Sequence, residues 1–276
     1  MDFAELDKLI DTEPEKAYEK IKEMFDKDES AKTNVQLLWR IAKACFLWGN
    51  SMQKKNPKRK QLIYEGRTYA KTAYSLDESN FEALRWTAVL VGAATDYMGP
   101  KERAQQGKAF KEYLDKALAV DPKEFTLLHL RGRFTFEVAT LSWIEKKVCN
   151  ALFAVLPEAT IDMALEDFLE ADRNVPFVWA ENLLYLARCY SVKKEKANAQ
   201  KYMDMVERIE KKDEMVVESM AEIKALIAKY LARCYSVKKE KANAQKYMDM
   251  VERIEKKDEM VVESMAEIKA LIAKCK

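Results

Sequence analysis

Leu183-Leu184-Tyr185-Leu186-Ala187-Arg188-Cys189-Tyr190, with Ala199 nine residues further on, decides the fold of this chain. Leu183, Leu186, Ala187 and Tyr190 fall at helical spacing, so they share one face of an α-helix. Ala187 is the small residue on that face. It lets a second helix backbone approach closely, while the larger side chains fill the space on either side. Ala199 supplies the matching small position on the returning helix. Looser versions stand upstream in Leu38-x-x-Ile41-Ala42-x-x-Cys45 and Leu84-x-x-Thr87-Ala88-x-x-Val91. Leu128-x-x-Arg131-Gly132 puts a glycine at the close-packed place.

Three interruptions share a texture: Ala73-Tyr74-Ser75-Leu76-Asp77-Glu78, Ala117-Leu118-Ala119-Val120-Asp121-Pro122 and Ala171-Asp172-Arg173-Asn174-Val175-Pro176. Each carries alanine five residues before the breaker, as a tetratricopeptide repeat closes. Only 6 Gly and 6 Pro punctuate 276 residues, too few turn residues for an all-β fold. The expected fold is therefore all-α: an irregular tetratricopeptide-repeat-like antiparallel helix solenoid with long inserted helices. A generic helical bundle is the alternative. A Thr12-x-x-Glu15 capping box with Pro14 in the first turn separates two N-terminal helices, about 3–10 and 14–25. Further helices are expected over about 34–53, 58–76, 80–97, 101–120, 123–147, 148–156, 160–173, 177–191, 194–211 and 213–229. About a dozen residues beyond the repeat pattern lie between Cys45 and Gly66, and about ten between Val91 and Phe110. These additions lengthen helices or insert one.

Residues 185–229 recur letter for letter as 230–274. Such a run of identities points to a very recent duplication or to an artefact of sequence assembly, and not to slow divergence. The expected domains are a helical domain over 1–229 and an extra C-terminal unit over 230–276, with the first copy in the native slot. The copy also distorts the charge. The whole chain holds 48 Lys+Arg against 46 Asp+Glu; each copy carries 10 against 8, so removing one leaves 38 of each. The net charge of +2 thus gives no reason to expect nucleic acid or a membrane surface. Apolar residues make up 49% and charged residues 34%, so apolar side chains must be segregated onto helix faces. The acidic N-terminus lacks an apolar signal segment, and stretches such as 86–95 and 148–157 are about half the roughly 20 residues of a membrane span, so a soluble chain is expected. The five cysteines form no C-x-x-C pair and are expected as reduced, mostly helix-buried thiols.

Several segments in order resemble the regulator of microtubule dynamics family. They are Leu37-Leu38-Trp39-Arg40-Ile41-Ala42-Lys43-Ala44, Tyr69-Ala70-Lys71 leading to Leu76-Asp77-Glu78, and Ala117 to Lys123. Leu128-His129-Leu130-Arg131-Gly132, Trp143, and Leu152-Phe153 leading to Pro157 continue the likeness, which runs from about Leu37 to Met205. The likeness is to the short cytosolic form, since no membrane anchor precedes the repeats. The resemblance implies a tetratricopeptide-like domain, association with microtubules and spindle poles in the cytoplasm, and a role in chromosome segregation. A membrane-anchored member of the family implies a competing function, phospholipid binding or organelle tethering. The tandem copy departs from the family pattern.

Nothing in the sequence points to an enzyme. His129 stands between leucines with no Cys or Ser partner by motif, and Gly99 to Lys108 has neither the glycine spacing nor the hydroxyl of a phosphate loop. No His/Cys set has zinc spacing, so no cofactor or metal is expected. The sharpest surface feature is the cluster Lys54, Lys55, Lys58, Arg59 and Lys60 around Pro57. Pro57 suggests a turn from which these cations fan into solvent toward a polyanion: acidic tubulin tails, anionic lipid heads or phosphate backbones. Nucleic acid is the least favoured of these. A solvated loop with no partner is the alternative. A second candidate, an apolar groove for a peptide helix or acyl chain, would use Trp86, Tyr97, Phe134, Phe136, Trp143 and Trp179, with Phe153. Core packing is the competing role for that set.

Overall fold

The computed structural model describes residues 2–53, 55–142, 146–147, 149, 156–175, 178–209 and 241–253, with isolated positions at 220, 224–225, 228, 265–266, 269–270 and 273. Among these residues every regular element is a helix. Two compact units divide the chain, the first over 1–134 and 141–158, the second over 135–140 and 159–276.

The first unit opens with α1 (Phe3–Thr12) and α2 (Pro14–Lys27), followed by a short 3-10 turn at Glu29–Thr33. Then come α3 (Val35–Asn50), α4 (Pro57–Leu76), α5 (Phe81–Ala94), a 3-10 turn at Thr95–Tyr97, α6 (Pro100–Val120) and the start of α7 (Phe125–Thr140). Short polar side chains set the starts. Asp2, Asn34, Asn56 and Asn80 each accept a backbone N–H of the first turn, which would otherwise lack a partner. The closing alanines set the ends. Asp77 N–H donates to the Ala73 carbonyl at 3.1 Å and Asp121 N–H to that of Ala117 at 3.0 Å, and both alanines are fully buried. Small side chains sit there because the last turn of the helix is pressed against its neighbour.

Two details depart from the sequence reading. Thr12 is not a cap: α1 runs through it, its hydroxyl donates back to the Lys8 carbonyl at 3.0 Å, and Glu13 precedes Pro14 as the residue between the helices. Proline takes the first position of α2, which moves the boundary one residue past threonine. The helix expected over 123–147 ends as α7 at Thr140, and residues 141–142 are not helical. The expected helix 148–156 lies outside the described residues except Cys149, which is helical, and Leu156, which is not.

Within the first unit, α1 to α6 form two layers. Tyr18 donates to Glu65 and Lys22 to Tyr69, pairs separated by the same 47 residues, so α2 and α4 run parallel as neighbours. Arg67 donates to Gln106 across 39 residues, and the Tyr74 ring meets Tyr113 edge-on at 5.5 Å in the same register, so α6 continues that layer. The other layer holds α1, α3 and α5. There α3 is enclosed on nearly every side: Leu37, Leu38, Trp39, Ile41, Ala42, Ala44 and Cys45 are all buried. The long inserted helices of the sequence reading are α4 and α6, of 20 and 21 residues.

Close approach of α3 and α4 depends on Gly66. A Cβ there would stand 2.8 Å from Cys45 Cβ and 3.3 Å from the Ala42 carbonyl oxygen. Polar ties fix the remaining helices. Arg40, buried on α3, forks onto both carboxylate oxygens of Asp7 at 2.8 and 2.9 Å, with its guanidinium over the Phe3 and Trp39 rings. Glu124 accepts the Leu127 N–H at the start of α7 and pairs with Arg85 of α5 at 3.0 Å.

The second unit contains the end of α7, then α8 (Ile161–Asn174), α9 (Ala180–Val192), α10 (Lys196–Glu207) and α11 (Lys241–Glu252). Thr160 caps α8, and the third closing alanine, Ala171, accepts the Val175 N–H at 2.9 Å. Leu183, Leu186 and Ala187 are buried with Phe168. The Tyr185 ring stacks on Phe168 at 5.1 Å, and Asn182 donates to the Phe168 carbonyl from a fully buried site. Tyr190 and Tyr202 join α9 to α10 with near-parallel rings 5.6 Å apart. Equivalent positions are buried in both copies: Met203 and Val206 on α10, Met248 and Val251 on α11. The junction of the copies, 229–230, lies outside the described residues.

Gly66→Ala is expected to lower stability by about 1–3 kcal/mol, because Cys45 Cβ and the α3 backbone cannot withdraw as a flexible side-chain tip would. Gly49→Ala, whose new Cβ meets Ile63 Cδ1 at an ordinary 3.6 Å, should leave thermal stability unchanged or slightly raised. Equal melting temperatures for Gly66→Ala and wild type would contradict the close approach.

Candidate binding surface

The basic cluster is the start of a helix rather than a loose loop. Asn56 caps α4 by accepting the Lys58 N–H at 2.9 Å, and Pro57 occupies the first position. Helix geometry then sends the cations in different directions. Lys55 and Lys60 are exposed and Lys58 is half-buried, whereas Arg59 is buried at 6%. The expectation that all five fan into solvent is therefore corrected at Arg59. Its guanidinium turns inward, donates to Asn50 Oδ1 at 3.1 Å and ties the end of α3 to the start of α4. Lys54 lies outside the described residues.

Lys58 Nζ stands 4.9 Å from the centre of the Trp48 ring, and Lys60 Nζ 5.9 Å from that of Tyr64. Among the described residues no carboxylate pairs with Lys55, Lys58 or Lys60. Their position is electrostatically unfavourable, since the N-terminal end of a helix is already partly positive. The helices α1, α2 and α5 place an acidic residue in the first turn; α4 places none. Aromatic faces hold Lys58 and Lys60 in part, and Lys55 is exposed.

Sequence reasoning missed the aromatic shelf beneath them. Trp48 meets Tyr18 at 5.3 Å, and Lys22 lies over both the Tyr18 and Tyr69 rings. Glu65 stands at the centre, accepting from Tyr18 at 2.8 Å and Tyr69 at 3.1 Å, with Lys22 3.5 Å away. Burial and the Glu65 carboxylate push the Tyr18 phenol well above its ordinary value. The Tyr69 hydrogen bond, with the nearby Glu65 charge, holds Lys22 protonated. Trp48 and Lys58 are ten residues apart and meet only because α3 and α4 double back, so no local spacing reveals them.

Among the described residues the aromatic candidates do not converge on one groove within either unit. Trp86 is buried in the core, its ring against Phe46 and its indole N–H donating to Glu82. Tyr97 is half-buried near Tyr64, and burial raises its phenol pKa. Phe134 packs on Phe110 in the first unit, and Phe136 packs on Tyr185 in the second. Trp179 is half-buried beside α9, while Trp143 and Phe153 lie outside the described residues. His129 is buried, and among the described residues no three His, Cys, Asp or Glu side chains gather as a metal site. Cys45 is buried, which pushes its thiol far above the ordinary range and away from nucleophilic chemistry. No described helix is long and apolar enough to cross a membrane.

A family model described as regulator of microtubule dynamics protein 1-3 matches residues 2–231. Regulator of microtubule dynamics protein 1 of Caenorhabditis elegans is 37% identical over 227 residues, covering 82% of this chain and 98% of the nematode protein. Human regulator of microtubule dynamics protein 2 is 32% identical over 65% of this chain, which spans only 44% of that longer protein. A tetratricopeptide repeat protein of Parabacteroides merdae aligns over 96% of both chains with a TM-score of 0.46 at 13% identity, too distant to bear on function.

Folding and surface roles within the basic cluster are separable. Arg59→Ala should destabilise the protein by about 1–3 kcal/mol through loss of a charged hydrogen bond and the packed stem. Lys60→Ala should change stability by less than about 0.5 kcal/mol. Equal thermal melts for the two variants would contradict the inward placement of Arg59.

Proposed function

From the premise that this chain belongs to the regulator of microtubule dynamics protein 1-3 family, we propose that it is a non-enzymatic binding scaffold associated with the cytoskeleton. In this reading it binds microtubules or a microtubule-associated protein in the cytoplasm and acts at the spindle and its poles in chromosome segregation. Support comes from one observation above all: Lys55, Lys58 and Lys60 stand together at the start of α4 with no carboxylate partner among the described residues. Cations left unpaired by the fold are available to a polyanion, and contacts from several of them add up. The helix pairs contribute rigidity and position, as helical repeats do for binding surfaces.

We assign this activity to residues 1–229 and treat 230–276 as an additional C-terminal helical unit. The family match ends at residue 231, two residues into the second copy. Burial of Met248 and Val251, as of Met203 and Val206, supports a second packed unit rather than a free tail.

Cosedimentation with microtubules tests the proposal. Replacing Lys55, Lys58 and Lys60 with Glu, and leaving Arg59 intact, should reduce the bound fraction at least tenfold at low salt with an unchanged circular dichroism spectrum. Wild-type binding should itself weaken as salt rises, because screening acts over about 8 Å at physiological ionic strength. Undiminished binding by the triple variant would remove these lysines from the account.

A further inference from the structure

We propose that the basic surface at the start of α4 continues onto the start of α6, and that the two helix ends together form one track for an extended acidic peptide. This inference rests on the proposed function and names the chemistry of its partner. Parallel packing of α4 and α6 carries it. Arg67 and Gln106, and Tyr74 and Tyr113, meet in one register, so the two helices begin at the same edge of their layer. In that register Pro100 at the start of α6 aligns with residue 61, about one turn along from Pro57.

Contacts bridge the two ends. Lys60 lies over the Tyr64 ring, and Tyr64 faces Tyr97 at 6.5 Å in the turn before α6. Two residues from Tyr97, the Thr95 carbonyl accepts a 3.3 Å hydrogen bond from Arg103 Nε of α6. This bond ties Arg103, which is exposed, to the turn that carries Tyr97. Lys101 on the same turn is exposed and has no carboxylate partner among the described residues. Glu102, also exposed, is the opposing charge on this turn; Asp96 is held by Arg133 at 3.8 Å. The edge therefore presents Lys55, Lys58 and Lys60 on one helix end and Lys101 and Arg103 on the next.

Spacing favours a polypeptide over a point anion. Packed helices lie about 8–10 Å apart, and an extended chain covers about 3.3–3.6 Å per residue. Carboxylates roughly three residues apart would thus meet successive helix ends. Tyr64 and Tyr97 floor the interval with aromatic surface, on which the peptide stems can rest.

Fluorescence anisotropy with a labelled ten-residue poly-Glu peptide tests this on the full chain, beside pelleting with vesicles of phosphatidylcholine and phosphatidylserine. Lys101→Gln with Arg103→Gln should weaken peptide binding at least fivefold at low salt, with the thermal melt unchanged. If that pair binds as wild type while the Lys55, Lys58 and Lys60 charge-reversal variant does not, the extension onto α6 is wrong and the α4 surface stands. Peptide binding unaffected by either variant overturns both. Vesicle binding without peptide binding identifies the partner as anionic lipid and overturns the assignment to a peptide.

Discussion

Contact between Gly66 and Cys45 holds the first unit in its arrangement. Because nothing larger than hydrogen stands at Gly66, α4 settles against α3 close enough to bury Leu62, Ile63 and Ala70. That approach leaves α3 enclosed and forces its polar residues to find partners within the protein. Arg40 does so through Asp7, in a two-oxygen fork that anchors α1. An unpaired guanidinium in that place would be costly, so the pair acts more as a condition of the fold than as a source of stability. Once α3 is enclosed, α2 and α4 pack against it, α6 packs against α5, and the three lie side by side and start at one edge. The position of the cations follows from that geometry.

The layer of α2, α4 and α6 is also where polar chemistry is concentrated. Glu65 satisfies two phenols and sits near Lys22, so its charge is consumed inside the layer. Lys58, about two turns earlier on the same helix, has an aromatic face and no carboxylate partner among the described residues. This contrast separates residues that hold the fold from residues that the fold holds out. Arg59 belongs to the first group and its neighbours to the second, although all of them read alike in the sequence.

Much of the fold was legible because its constraints are local. Ala73, Ala117 and Ala171 mark helix ends, each with the cap residue four positions later, and Ala187 and Ala42 mark crossings. The excess residues between Cys45 and Gly66 proved to be helix lengthening on both sides of a short turn. Family membership was legible for a related reason: a run of weak motifs in fixed order is specific even where each is not. The binding surface was legible only in part. Composition displayed the lysines, but which of them turn inward depends on helix phase, and phase depends on whether Pro57 ends a loop or begins a helix. Trp48 and Tyr18 could not be associated with Lys58 from sequence, because their proximity arises between helices. Nor did the sequence show how the aromatic set divides. Trp86 was taken into the core, and Phe134 and Phe136 went to different compact units though two residues apart.

We propose electrostatic attachment of this helical edge to an acidic polymer, and the family's name points to the microtubule as the polymer to test. The direct measurement is cosedimentation with intact microtubules and with microtubules whose acidic C-terminal tails have been removed by limited proteolysis. Binding to intact polymer, lost when the tails are gone, is the predicted result. Equal binding to both would contradict the account, since the cations of α4 would then have no acidic partner to explain them.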